Sequence, residues 1–304
     1  MNLRTLVQAL VRNEPLNFAL TNRIPRGTLT RFMGWFSQIE QPLVRNVSIA
    51  AWRLFADLDL SDARRTSFRS LHDCFTRELK EGARPVDASA DVLVSPCDAI
   101  VGACGAVEGG MALQAKGSRY SLEELLGDPA LARQFASGTY VTLRLTSSMY
   151  HRFHAPHDCR VSHVTHFPGD VRNVNPPTLA RIERVFCRNE RAVIRANLDR
   201  GGWPLAIVPV AAVLVASLRL HFIAPLLHPR HRGPHEFDCD VNFGKGHEMG
   251  WFQHGSTILV FAPCGFALAE GIAPGTVIRM GQRLLHMPGV ADPPPRGEVL
   301  AAGR

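Results

Sequence analysis

Past residue 90 the apolar residues of this chain come in short runs rich in β-branched types, broken up by glycine, proline and polar residues. The runs fall at 92–94, 100–102, 141–145, 161–164, 191–196, 206–215, 257–261 and 277–280. Segments of that length and composition read as strands, because branched side chains suit a pleated surface and the punctuation breaks any helix. Before residue 80 the period is different. Leu3, Leu6, Val7, Leu10 and Val11 repeat at helical spacing, Phe32, Trp35, Phe36 and Ile39 form a second stripe, and Ile49, Trp52, Leu54 and Phe55 a third. Residues 66–79 read as a fourth helix. The change falls in a linker at 81–90 (EGARPVDASA). The expectation is an α+β chain, with amino-terminal helices over 1–80 and a β-rich catalytic body of mostly antiparallel or mixed sheets over 81–304. Within the body, residues 121–126 read as a helix start, Ser121 and Glu124 being spaced as a capping box.

At 304 residues and 46% hydrophobic, the chain can bury a substantial core. Its 34 Lys+Arg against 27 Asp+Glu give a net charge of +7. Residues 1–55 hold seven arginines (Arg4, Arg12, Arg23, Arg26, Arg31, Arg45, Arg53) and two acids (Glu14, Glu40). A basic, apolar segment of this kind suits an anionic membrane surface or an acidic partner. Nucleic acid is not expected as a partner, since the only lysines are Lys80, Lys116 and Lys245 and no basic run is interleaved with aromatics. The seven cysteines are irregularly spaced with no C-x-x-C pair, which argues against a disulfide framework or zinc ribbon and for a reducing compartment. No secretory signal stands at the start. The longest apolar run, 205–218, is interrupted by Pro209 and Ser217 and falls short of the roughly 18 residues of a spanning helix. The chain is expected to touch a membrane without crossing it.

Chemistry-bearing residues concentrate around Tyr150-His151-Arg152-Phe153-His154-Ala155-Pro156-His157, where five of the 13 histidines fall within 16 residues. Three readings stand for this cluster. H-x-x-H-x-x-H can gather a metal, although Pro156 interrupts a common helical face and no metal is expected. Imidazoles can also serve as a proton-moving pair, or be satisfied core and surface groups. Three further segments are modest one by one. Ser95-Pro96-Cys97-Asp98 ends a strand in a turn. Val174-Asn175-Pro176 is followed by Asn189-Glu190-Arg191. Lys245-Gly246-His247-Glu248-Met249-Gly250-Trp251-Phe252 leads into Gly255-Ser256-Thr257.

Taken in order, these motifs resemble the phosphatidylserine decarboxylases of the bacterial proenzyme type, from about residue 73 to residue 281. Phe75-Thr76-Arg77, Arg84-Pro85, Lys116-Gly117 and Tyr120-Ser121-Leu122 add to the match. The resemblance implies self-cleavage between Gly255 and Ser256, giving a β chain of 1–255 and an α chain of 256–304 that stay together as a heterodimer. Ser256 would become the covalent pyruvoyl cofactor. His154 matches the base of that step and Asp98 the acid that orients it, which is triad logic applied to the chain's own peptide bond. Thr257 is a candidate to hold the scissile geometry, His151 a candidate proton donor during turnover, and Arg152 and Arg191 candidate anion contacts, with structural ion pairing as their alternative. The pyruvoyl group would serve as electron sink in converting phosphatidylserine, drawn from an anionic membrane, to phosphatidylethanolamine and CO2. The implied place is peripheral, on the cytoplasmic side of the cell membrane, and the family also suggests a homodimer of the cleaved unit. Two rivals are a relative acting on a free amino acid and a non-processing or metal-binding relative. The sequence departs from the family pattern at His254, where a small or apolar residue is usual, and at Ala99, where glycine is common. Neither removes a reacting group.

Overall fold

The computed structural model describes residues 26–115, 118–212, 217–228, 233, 235–253 and 257–289. The stripe at residues 3–11, Lys116-Gly117, the tail from 290, and His254, Gly255 and Ser256 lie outside the described residues. Helices come first: α1 (Arg26–Phe36), α2 (Pro42–Phe55) and α3 (Leu71–Phe75). The body follows as β1 (Val92–Val94), β2 (Ala99–Ala106), β3 (Met111–Ala115), β4 (Ser118–Ser121), α4 (Leu122–Leu126), α5 (Pro129–Gln134), β5 (Thr139–Arg144), β6 (Arg152–His154) and β7 (Cys159–Phe167). It continues through α6 (Pro176–Arg181), α7 (Val185–Arg188), β8 (Arg191–Leu198), β9 (Pro204–Val210), β10 (Leu218–Leu220) and β11 (Glu236–Phe243). The last strands are β12 (Glu248–Phe252), β13 (Thr257–Ala262), β14 (Ala267–Leu268), β15 (Val277–Ile278) and β16 (Arg283–His286). The chain is therefore α+β.

Eight strands make one antiparallel sheet in the order β11-β7-β8-β9-β13-β5-β2-β15. Two three-stranded sheets, β1-β16-β14 and β10-β12-β6, supply side chains to the core on one of its faces, where Leu93, Phe153, Met249 and Leu285 meet Val141, Ile194, Ile207 and Ile258. A hairpin of β3 and β4 and the short helices α4 to α7 cover the other face around Tyr120, Phe135, Phe186, Leu259 and Phe261. β13 is buried at all six positions and lies between β9 and β5. A strand buried on both faces reads as a continuous apolar run, which is why 257–261 stands out in the sequence.

The fourth helix expected at 66–79 shrinks to α3. Ser70 caps it by accepting a hydrogen bond from the Asp73 N–H, and Thr76 closes it by donating to the His72 carbonyl. Downstream, Arg64 N–H donates to Glu78 O and Lys80 N–H to Asp62 O, so tertiary pairing pulls the segment into an extended form. At α4, Ser121 caps the helix through the Glu123 N–H, while Glu124 pairs with Arg184 instead of completing the box.

Candidate active site

The site is built on the junction of β6 with the turn at 244–247. The His154 N–H donates to Pro96 O, the Ala155 N–H to His247 O and the Gly246 N–H to Ala155 O, each at 2.8 Å. Gly246 has a φ of +80°, and a Cβ there would lie 2.7 Å from a Val86 methyl, so the turn requires glycine. This turn places the Gly246 carbonyl 2.8 Å from His154 Nδ1. A carbonyl only accepts, so Nδ1 carries the proton and Nε2 keeps its lone pair. The Tyr150 hydroxyl lies 3.0 Å from Nε2. Burial lowers the His154 pKa, against the opposing pull of the Gly246 carbonyl and the Glu248 and Asp98 carboxylates. The ring is thus neutral near pH 7, the form a general base needs.

Asp98 is close enough to act on His154 as a charge, but its hydrogen bonds go elsewhere. Arg84 grips it through Nε at 2.9 Å and Nη2 at 2.6 Å, and the Met280 N–H donates to it at 2.9 Å. Arg84 also reaches Asp62 at 2.8 Å. Among the described residues no hydrogen bond joins Asp98 to His154. Sequence reasoning missed Arg84 and Tyr150 as parts of the site; both stand inside matched motifs, which was the available signal.

The strands on either side of residues 253–256 belong to different sheets, β12 to the sheet that carries His154 and β13 to the large one. Thr257 pairs with Arg144 on one side and Val210 on the other, fully buried, and its hydroxyl has no hydrogen-bond partner among the described residues. His151 is also fully buried, stacked on Phe75 with ring centroids 3.9 Å apart. His157 Nε2 donates to Ala90 O. The three imidazoles of H-x-x-H-x-x-H therefore turn to different partners, and among the described residues no His/Cys/Asp/Glu group is arranged to hold a metal.

The two candidate anion contacts differ. Arg152 donates to Glu248 and to Thr76 O and lies over the Trp251 ring. It also lines a cavity of about 60 Å³ with Arg65, Phe68, Asp73, Thr76 and Arg77. Arg191 is buried and donates to the carbonyls of Leu125, Cys187 and Glu124, with its guanidinium over Phe167. Its donors are spent on main-chain carbonyls, and among the described residues it forms no ion pair.

Residues 71–286 match the phosphatidylserine decarboxylase family. The chain is 33% identical over 282 residues to the phosphatidylserine decarboxylase proenzyme of Saccharophagus degradans, covering 90% of this chain and 98% of that one. It is 34% identical over 284 residues to the proenzyme of the same name from Vibrio cholerae, covering 90% and 99%. A third relative of that name, from Shewanella baltica, is 34% identical over 286 residues, covering 90% and 97%.

Proposed function

The chain belongs to the phosphatidylserine decarboxylase family, and from that premise we propose that it converts phosphatidylserine to phosphatidylethanolamine and CO2 with a pyruvoyl group made from its own Ser256. The observation that carries the reading is the state of His154: buried and neutral, with Nδ1–H spent on a carbonyl and the basic nitrogen retained. In self-cleavage Ser256 Oγ gives up its proton, with His154 as base, and attacks the Gly255 carbonyl, so that the amide becomes an ester. β-Elimination frees residues 1–255 with a carboxylate end. The dehydroalanine left at 256 takes up water and loses ammonia.

The residues present fit the resulting group. Thr257, its direct neighbour in sequence, keeps a buried hydroxyl with no partner among the described residues, a donor available to a carbonyl oxygen. When formed, the pyruvoyl ketone supplies an electron sink for the pair released with CO2. His151, enclosed against Phe75, holds the proton for the decarboxylated carbon. Arg152 offers its guanidinium to the substrate anion.

A lipid substrate agrees with the helices. Phe32 (51% exposed) and Trp35 (63%) on α1, with Leu43 (67%) and Val47 (59%) on α2, turn apolar surface outward beside the exposed Arg31 and Arg53. Such a surface suits the interface of an anionic membrane. Among the described residues no helix is long and apolar enough to cross it. The proposed place is peripheral, on the cytoplasmic side of the cell membrane, a reading that the exposed apolar and basic residues of α1 and α2 support.

Denaturing intact mass of the purified protein, beside Ser256→Ala, tests the reading. Two pieces broken after residue 255, the smaller with a pyruvoyl terminus, are expected for the wild type and a single mass for the variant. A wild-type chain that stays whole overturns it. CO2 is expected from phosphatidylserine vesicles and not from free tryptophan; the reverse would mark a soluble amino-acid decarboxylase. In the same assay His151→Ala is expected to cleave itself and release no CO2.

A further inference from the structure

The surroundings of His154 raise a difficulty that the Asp98–His154–Ser256 assignment leaves open. A neutral imidazole has one in-plane lone pair, which accepts one well-aligned hydrogen bond. With Nδ1–H directed to the Gly246 carbonyl, that lone pair is on Nε2, and the Tyr150 hydroxyl 3.0 Å away occupies it. Tyr150 is itself buried, at 4% exposure, and burial raises its pKa, so the phenol stays protonated and donates. Asp98, Glu248 and Arg152 act as charges on both rings, and Arg84 acts on Tyr150 as well. None of them hydrogen-bonds His154. Asp98 is held by Arg84 and the Met280 N–H, and Glu248 by Arg152 and His221. A serine hydroxyl has no vacant acceptor on His154 to address directly.

We propose that Tyr150 carries the proton from Ser256 to His154 during self-cleavage. The inference rests on the reading of Ser256 as nucleophile and His154 as base. As the Oγ–H bond of Ser256 breaks, its proton passes to Tyr150 Oη. The Tyr150 O–H bond breaks in the same step, and that proton forms the Nε2–H bond of His154. The Oγ electron pair attacks the Gly255 carbonyl, whose π pair moves onto its oxygen. Tyr150 ends as a neutral phenol that accepts from Nε2–H, and the imidazolium balances the new oxyanion. A hydroxyl can donate to the neutral ring and accept from the charged one, so the bond between the two side chains survives the transfer without movement.

The test is the rate of self-cleavage of the pulse-labelled full chain made by cell-free translation, in buffers of rising D2O fraction. Two protons in flight make the rate fall along a bowed curve; a straight line overturns the proposal. Tyr150→Phe is expected to slow cleavage by about 100-fold, the scale of a lost proton-transfer partner, and to straighten the curve for what remains. Its folding is checked by the thermal midpoint of Tyr150→Phe in a Ser256→Ala background. Should that variant fail to fold, the curve of the unaltered chain decides alone. A folded Tyr150→Phe chain that cleaves at the wild-type rate overturns the relay. His154→Ala separates the two levels: if it abolishes cleavage the site assignment stands whatever Tyr150 does, and if it cleaves normally that assignment fails as well.

Discussion

Glu190 is nearly sealed from solvent, at 2% exposure. One carboxyl oxygen lies 3.2 Å from His166 Nε2 and the other has no hydrogen-bond partner among the described residues. Burial raises its pKa from 4.5 to about 8. Between those values the folded chain holds a proton that the unfolded chain has lost, so this residue makes stability fall as pH rises from about 4.5 to about 8. Glu190→Gln keeps the shape and removes the ionisation. Its thermal midpoint is expected to stay near or below the wild type at pH 5 and to exceed it at pH 8.5. Parallel midpoint curves would show that the carboxyl does not carry the dependence. Asn189-Glu190-Arg191 is visible in the sequence as a motif, but nothing in those three letters says that the acid is buried and the arginine spent on carbonyls. The same holds for Arg84, which looks like a linker residue and acts as the main grip on Asp98. Burial and partner choice come from distant segments, and local composition does not encode them.

At the scale of elements, β3, β4, β6, β10, β11, β12, β14 and β16 fall outside the runs read from the sequence, while β1, β2, β5, β7, β8, β9, β13 and β15 were legible because apolar runs are a local property. α3 was not, because its length is set by a bridge between Ala63 and Leu79 that competes with helix propensity. β12 gives a sharper case. Gly250, inside the matched Lys245–Phe252 motif, pairs with Leu220 of β10, and a Cβ there would lie 2.1 Å from the Arg219 carbonyl oxygen. Gly250→Ala must push β10 away from β12. A loss of about 1–3 kcal/mol, the usual cost of overpacking, is expected in urea unfolding of the uncleaved Ser256→Ala chain. An unchanged midpoint would mean that β10 yields freely.

For the whole molecule, the position of β13 decides what the proposed cleavage after residue 255 would leave behind. The described part of the carboxyl-terminal piece, residues 257–289, contributes the fifth strand of the eight-stranded sheet and also β14, β15 and β16. Further bonds join it to the larger piece: Arg283 to Asp87, the Asp87 N–H to Gly281 O, and the Met280 N–H to Asp98. The two pieces are expected to elute as one species from a sizing column at the volume of the uncut Ser256→Ala chain, and to part only in denaturant. Separate elution under native conditions would contradict the shared sheet.

The sequence by itself determined the α+β class, the change from helical stripes to short apolar runs near residue 90, the places of β1, β2, β5, β7, β8, β9, β13 and β15, and which ordered motifs tie the chain to its family. Each of these is carried by spacing and composition within a few residues. Only the tertiary structure decided that β13 is central, that Asp98 bonds Arg84 and Met280, and that His154 is set by Gly246 and Tyr150. Its deciding contacts include bonds spanning 92 positions for His154 to Gly246 and 182 for Met280 to Asp98. Contacts at such separation form only when two cores close on the two faces of one sheet, and no local pattern specifies them.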